Sequence, residues 1–243
     1  MTANISNPTP RSNLVLKWTG ISLLFVGASL AGSMLLTNWE NWWASFIILP
    51  AAFLLSLSGI VADRQGRFSL GSRAIFLPAL VIGTVAWMFL FDLNWAVCWP
   101  LMLITPTAGL LLLGLPGSKN QTAAFFQGWV FWFSLSGLLL GVEFLLANLS
   151  LLPVYSMTFN WWGLNILLVA LGGLVLTVQS ALRKGPLALT LINAGLSLSV
   201  AFSAVVALFN LDWNLLSPVN LMAIGLLILV SSFIRSPEQK TQA

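Results

Sequence analysis

The chain contains no histidine and one cysteine, Cys98. Without histidine, this chain alone cannot build His-ligated haem, a His-bound zinc or a Ser-His or Cys-His catalytic pair. A single thiol forms no internal bridge, which excludes a disulfide-stapled secreted scaffold. Charge is scarce as well. Ten Lys/Arg and six Asp/Glu make up 7% of 243 residues, against roughly 25% in an ordinary soluble domain. So few charges do not cover the surface of a soluble globule. What fills the chain instead is apolar: 58% of residues, twelve tryptophans and a mean hydropathy of +0.95. The composition is that of an all-α polytopic membrane protein.

The formal net charge is +4. The basic residues sit singly or in pairs between apolar runs, where topology accounts for them, so no nucleic-acid partner is expected. Residues 1–13 form a polar tail with Pro8, Pro10 and Arg11. No small-residue cleavage site follows the first apolar run, which reads as a retained helix.

A helix that crosses a bilayer needs about 20 mostly apolar residues. Eight runs qualify: Leu14–Leu36, Trp43–Val61, Ser72–Phe91, Trp95–Leu115, Ala123–Ala147, Trp161–Leu176 (with an extension to Ser180 left open), Leu187–Phe209 and Leu216–Ile234. They lack the in-out alternation of an outer-membrane barrel. The loops between them sort by charge. Arg11, Lys17, Arg64, Arg67, Arg73, Lys119, Arg183, Lys184, Arg235 and Lys240 all fall on one side. The opposite loops carry Glu40, Asp92 and Asp212 and no cation. By the positive-inside rule both termini, including the 235–243 tail, are expected in the cytoplasm of a bacterial inner membrane.

The outer turns repeat an Asn/Asp-Trp signature at Asn38-Trp39, Asn94-Trp95, Asn160-Trp161 and Asp212-Trp213. Counted back from Trp39 and Trp95, Lys17 matches Arg73 and Gly27 matches Gly83. Counted forward, Trp43 matches Trp99. The third unit carries an insertion near 149–155, and the fourth has Ser217 in place of the second Trp. The reading is four antiparallel helical hairpins, about 14–61, 72–115, 123–180 and 187–234, forming one transmembrane domain with no separate soluble domain. Each hairpin begins and ends on the cytoplasmic side, so the repeats relate by rotation about the membrane normal.

The segment from Phe91 through Asp92, Asn94, Trp95, Trp99 and Pro100 to Ile104, followed by Gly109, carries a family resemblance. Leu211-Asp212-Trp213 with Ser217-Pro218 and Gly225 is a second, weaker match. The pattern resembles the LiaI/LiaF-like transmembrane region of bacterial cell-envelope stress-response proteins. The resemblance implies a membrane sensor or scaffold rather than an enzyme.

Three groups of residues are site candidates. Eight of the twelve tryptophans cluster at the expected outer boundary: Trp39, Trp42, Trp43, Trp95, Trp99, Trp161, Trp162 and Trp213. They read as an anchoring belt, because indole suits the headgroup level, or as a platform for lipid headgroups or an amphipathic peptide. Small residues at helical spacing, Gly137 with Gly141, Ala28 with Gly32, and Gly195 with Ser199 and Ser203, read as helix-packing stripes or as a Ser-lined path. Glu143 is the one acid within an expected span, with Asn165, Asn193 and Gln179 as intramembrane polar groups. An intramembrane acid is a default functional position, and a structural partner is the equal alternative. Cys98 has no base nearby and reads as an inert thiol.

No metal site, cofactor motif or catalytic constellation is read, and an apolar cleft for a quinone or pigment leaves no motif. The leading expectation is a non-enzymatic scaffold, sensor or accessory subunit with membrane lipids and other membrane-protein subunits as partners. The alternative is a transporter or lipid-translocating protein with a path between repeats. A water-filled cavity at mid-depth distinguishes the second from the first.

Overall fold

The computed structural model describes residues 11–37, 39–66, 69–115, 120–152, 160–183 and 185–233. Asn38, Arg67, Lys119, Tyr155, Lys184, Arg235 and Lys240 lie outside them, as does most of both tails. Every regular element among the described residues is helical, so the all-α class holds. In chain order these are α1 (Arg11–Thr37), α2 (Ser45–Gln65), α3 (Leu70–Leu90), α4 (Trp95–Cys98), α5 (Leu101–Gly114), α6 (Gln121–Asn148), α7 (Gly163–Leu182), α8 (Leu187–Leu208) and α9 (Leu216–Phe233). Among the described residues seven stretches are long and apolar enough to cross a membrane, and α9 coincides with the eighth apolar run.

The boundaries differ from the sequence expectation in physically simple ways. α1 starts at Arg11, one turn before the apolar run, because a helix does not need apolar residues to begin. α7 starts at Gly163 and runs through the polar Gln179 and Ser180 to Leu182. The fourth run is interrupted at Trp99-Pro100. Proline has no backbone N–H to continue the ladder, and the chain restarts with Leu103 and Ile104 N–H donating to the Pro100 carbonyl at 2.9 Å.

Four helices end in the left-handed conformation without glycine: Trp39 (φ 62°) after α1, Asp92 (φ 47°) after α3, Ser150 (φ 59°) after α6 and Asn210 (φ 51°) after α8. After α3, α6 and α8 the next residue closes the end by donating five residues back. Leu93 N–H reaches Met88 O at 2.9 Å, Leu151 reaches Leu146 at 2.8 Å and Leu211 reaches Val206 at 3.0 Å. Such a closure satisfies carbonyls that the last turn leaves open.

The chain divides into two units, at Leu113/Gly114. In the first, α1, α2 and α3 enclose a core of Val26, Ala44, Ile48, Ala52, Ala86 and Leu90. α2 and α3 approach most closely. There Ser58 Oγ donates to Ser72 O at 2.9 Å and Ser72 Oγ to Ser58 O at 3.0 Å. Ser33 Oγ of α1 donates to Leu90 O at 2.8 Å, and the Trp87 indole of α3 donates to Ser29 Oγ at 3.1 Å. At the other end of α1, Asp63 Oδ2 accepts from Lys17 Nζ at 2.9 Å and from Trp18 Nε1 at 2.7 Å.

In the second unit α7 and α8 approach most closely, with α6 on α7 and α9 on α8. Its buried residues include many small ones, Ala170, Gly172, Gly173, Ala204, Ala207 and Ser197, together with Val169, Val206 and Trp129. In both units many large apolar side chains point outward, while Ile48, Leu90 and Val206 are fully buried. Leu24, Leu35, Phe53, Leu182 and Leu198 are all more than 60% exposed. The prevalence of Ala, Ser and Gly among buried residues, beside so many exposed leucines and phenylalanines, suits helices packed through small residues in lipid.

Candidate functional site

Three of the four aromatic turns keep the register that the sequence spacing gives, and the first one differs. Asn94 caps α4, its Oδ1 accepting from Ala96 N at 3.0 Å, and Trp95 follows as the first helical residue. Asp212 does the same for Trp213, accepting from Asn214 N at 2.9 Å. Both caps lie two residues after the left-handed Asp92 or Asn210. After α1 the left-handed residue is Trp39 itself, so the equivalent pair is Asn41-Trp42 and not Asn38-Trp39. Asn160-Trp161 occupies the corresponding place before α7, where Asn160 O accepts from Gly163 N at 2.9 Å.

This register exposes a linkage shared by both units. Asn41 Nδ2 donates to Asp92 Oδ1 at 3.4 Å in the first. In the second, Asn160 Nδ2 donates to Asn210 Oδ1 at 3.4 Å and to Ala207 O at 3.0 Å. In each case the Asn before the second long helix ties itself to the left-handed residue after the third. Of the tryptophans, Trp42, Trp43, Trp95 and Trp213 are exposed, while Trp39, Trp99, Trp161 and Trp162 are half-buried. Trp162 stacks on Trp213 at 5.6 Å, and Trp43 packs on Phe89 at 4.9 Å.

Glu143 is half-buried near the C-terminal end of α6. Its Oε2 accepts from Asn165 Nδ2 at 2.8 Å. The backbone oxygen of Asn165 accepts from Ser136 Oγ at 2.7 Å. Ser136 and Glu143 lie two turns apart on one face of α6, so a single asparagine in the first turn of α7 engages both. Beside them Phe144 meets Trp161 edge-on at 5.3 Å. Asn193 is elsewhere. It is 4% exposed in α8, and its Oδ1 accepts from Trp129 Nε1 at 2.8 Å.

Among the glycine candidates, Gly141 and Gly195 are buried and Gly137 is half-buried. Ser199 Oγ donates to Asn220 Oδ1 of α9 at 2.7 Å. The tightest glycines are others. A Cβ on Gly59 would overlap the Trp18 indole, one on Gly172 the Trp132 indole, and one on Gly173 the Ser197 hydroxyl. Trp129 and Trp132 lie three residues apart on α6 and so share a face, opposite Gly172-Gly173. The adjacent glycines are visible in the sequence, but which indole each one faces depends on helix rotation.

The second unit also holds a cavity of about 430 Å³ where the start of α6, the end of α7 and the start of α8 meet. Phe125, Phe131, Trp132 and Leu176 are among its apolar lining, and Gln121, Gln127, Gln179, Ser180, Arg183 and Asn193 supply its polar groups. Its size falls within the roughly 300–1,000 Å³ of small-molecule sites. No sequence motif marks it, because its lining comes from three helix ends. Cys98 is half-buried. Among the described residues no group of three His, Cys, Asp or Glu is arranged to hold a metal ion. No protein-family model matches the chain, and no curated protein or solved structure does so either.

Proposed function

We propose that the chain is a multi-pass protein of a bacterial cytoplasmic membrane, with eight spans in four hairpins and both termini inside. In this reading it acts without catalysis, as a scaffold, sensor or accessory subunit working through helix and lipid contacts. The carrying observation is the distribution of side-chain size. Alanine, serine and glycine predominate among the buried residues, beside a few large ones such as Ile48 and Leu90, while many leucines and phenylalanines face outward. Helices drawn that close leave Ser134 and Ser197, both near mid-helix, at 3% and 0% exposed. The orientation rests on the one-sided Lys/Arg distribution. The shared turn linkage at Asn41 and Asn160 supports an internal duplication.

That duplication also favours a second reading, a transporter built from repeated units. Cysteine accessibility separates the two. In a Cys98→Ser background, Ser134→Cys and Ser197→Cys are expected to resist a membrane-impermeant thiol reagent, while a transporter with a water-filled path makes at least one of them react. The same assay tests orientation. Glu40→Cys is expected to label from outside intact spheroplasts and Arg64→Cys only after lysis.

A further inference from the structure

The cavity at the α6, α7 and α8 ends is lined by one cation, Arg183, and by neutral polar side chains, Gln121, Gln127, Gln179, Ser180 and Asn193, with no carboxylate among its described lining residues. Arg183, the residue after α7, is exposed at its mouth. Among the described residues no carboxylate pairs with it; the Lys17–Asp63 ion pair belongs to the first unit. Asn193 is the most buried polar side chain of the lining. An indole N–H only donates, so the Asn193 atom that accepts from Trp129 is the oxygen. This orientation leaves both Nδ2 hydrogens for another acceptor, and among the described residues none takes them. Trp132 also lines the cavity, and its indole N–H has no acceptor among the described residues. α8 begins at the rim without a side-chain cap on its first turn, so its open backbone N–H groups and the positive end of its dipole add to the same field.

These donors lie at two depths. Arg183 and the first turn of α8 are at the mouth. Asn193 is six residues farther along α8, about 9 Å at 1.5 Å per residue. The apolar rings continue beside it. A matching ligand carries an anion outermost, neutral acceptors below it and a hydrocarbon body. A glycerophospholipid has this order: phosphate, ester carbonyls, acyl chains. A quinone offers carbonyls to Asn193 and Trp132 but no anion to Arg183. In the proposed orientation the mouth sits at the cytoplasmic headgroup level, where basic pockets between helices take anionic lipids.

We propose that this cavity binds one anionic glycerophospholipid, with its phosphate on Arg183 and the α8 N-terminus and its ester carbonyls toward Asn193 and Trp132. The proposal rests on the membrane reading above and goes beyond it, and it is independent of whether the protein scaffolds or transports.

The test uses the delipidated full chain in mild detergent, with bound lipid counted by native mass spectrometry and protection read as a shift in Tm. The probes are dioleoylphosphatidylglycerol, dioleoylphosphatidylcholine, a menaquinone and inorganic phosphate. A saturable phosphatidylglycerol site is expected, weakened about tenfold by Arg183→Gln, which corresponds to loss of about 1.4 kcal/mol. Leu189→Trp fills the cavity and is expected to abolish the site. Gln179→Glu, exposed at the rim, places a carboxylate there and is expected to weaken it even if Leu189→Trp folds poorly. Equal affinity for the two phospholipids, wild-type binding by Arg183→Gln and Gln179→Glu together, protection by inorganic phosphate alone, or displacement by the quinone would each overturn the proposal. Reactive cysteines at positions 134 and 197 would reject the scaffold reading and leave this outcome untouched.

Discussion

Asn165 and Glu143 are joined across α6 and α7 by a 2.8 Å hydrogen bond from amide nitrogen to carboxyl oxygen. The same asparagine accepts Ser136 through its backbone oxygen, a bond that survives any side-chain change. Asn165→Leu therefore removes the donor to Glu143 and little else. An acceptor left without a donor at a half-buried site costs about 1–3 kcal/mol. Glu143→Gln keeps an acceptor and is expected to stay within about 0.5 kcal/mol of wild type. Glu143→Leu with Asn165→Leu removes both partners and is expected to recover part of the single-variant loss. Unfolding titrations in mixed detergent check this. Strictly additive single-variant losses would show that the bond contributes nothing.

Gly59 on α2 lies directly beneath the Trp18 ring of α1. In an open helix, Gly→Ala is worth up to about 1 kcal/mol through propensity. At Gly59 the added methyl overlaps an indole whose N–H is already fixed to Asp63 at 2.7 Å. The ring cannot retreat without breaking that bond. Overpacking of this kind typically costs about 1–3 kcal/mol, so Gly59→Ala is expected to lower Tm despite its better propensity. Gly20→Ala is the control, because a methyl added there meets nothing within 4 Å. It is expected to leave Tm unchanged or raise it slightly.

The helices were legible because twenty-residue apolar runs leave few alternatives, and α2, α3, α6 and α8 lie within a few residues of the expected spans. The register of the first turn was not. Asn38-Trp39 and Asn41-Trp42 are the same dipeptide three residues apart, and spacing cannot say which asparagine follows the left-handed residue. Backbone dihedral angles decide it. Glu143, Asn165 and Asn193 were legible as rare polar groups in apolar runs. Their partners were not, since Asn193 pairs with Trp129 rather than with the acid. The cavity left no trace in the sequence, because Trp132 on α6, Arg183 just after α7 and Asn193 on α8 come together only through the rotation of each helix.

Trp129 and Asn193 form the best-buried polar contact between α6 and α8, at 2.8 Å. Trp129→Phe keeps an aromatic ring on α6 but removes the N–H, leaving the Asn193 oxygen without its donor, and it also loses the outer indole atoms that face Gly173. The expected loss is about 1–3 kcal/mol. Trp129→Phe with Asn193→Leu is expected to be more stable than Trp129→Phe alone, since no polar atom is then stranded. If the double variant is the weaker one, ring packing rather than the hydrogen bond holds α6 to α8.

Ser150 offers a test in the opposite direction. It ends α6 at φ 59°, where a Cβ costs roughly 1–2 kcal/mol. Among the described residues its exposed side chain has no hydrogen bond to lose. The closure runs through backbone, with Ser150 N–H on Ala147 O at 2.9 Å and Leu151 N–H on Leu146 O at 2.8 Å. Ser150→Gly relieves the Cβ contact. It also frees the unfolded chain, an opposing effect of about 0.4–1 kcal/mol. The relief is the larger of the two, so a net gain of about 0.5 kcal/mol is expected. Ser150→Val keeps the Cβ and adds a branch that the left-handed region tolerates poorly, so a loss of at least about 1 kcal/mol is expected. Asn210→Gly is expected to gain less than Ser150→Gly, because the Asn210 oxygen also holds Asn160 at 3.4 Å. The order of Tm among the three variants, Ser150→Gly highest and Ser150→Val lowest, follows from the backbone alone. A Ser150→Val protein as stable as wild type would mean that α6 does not end in this turn.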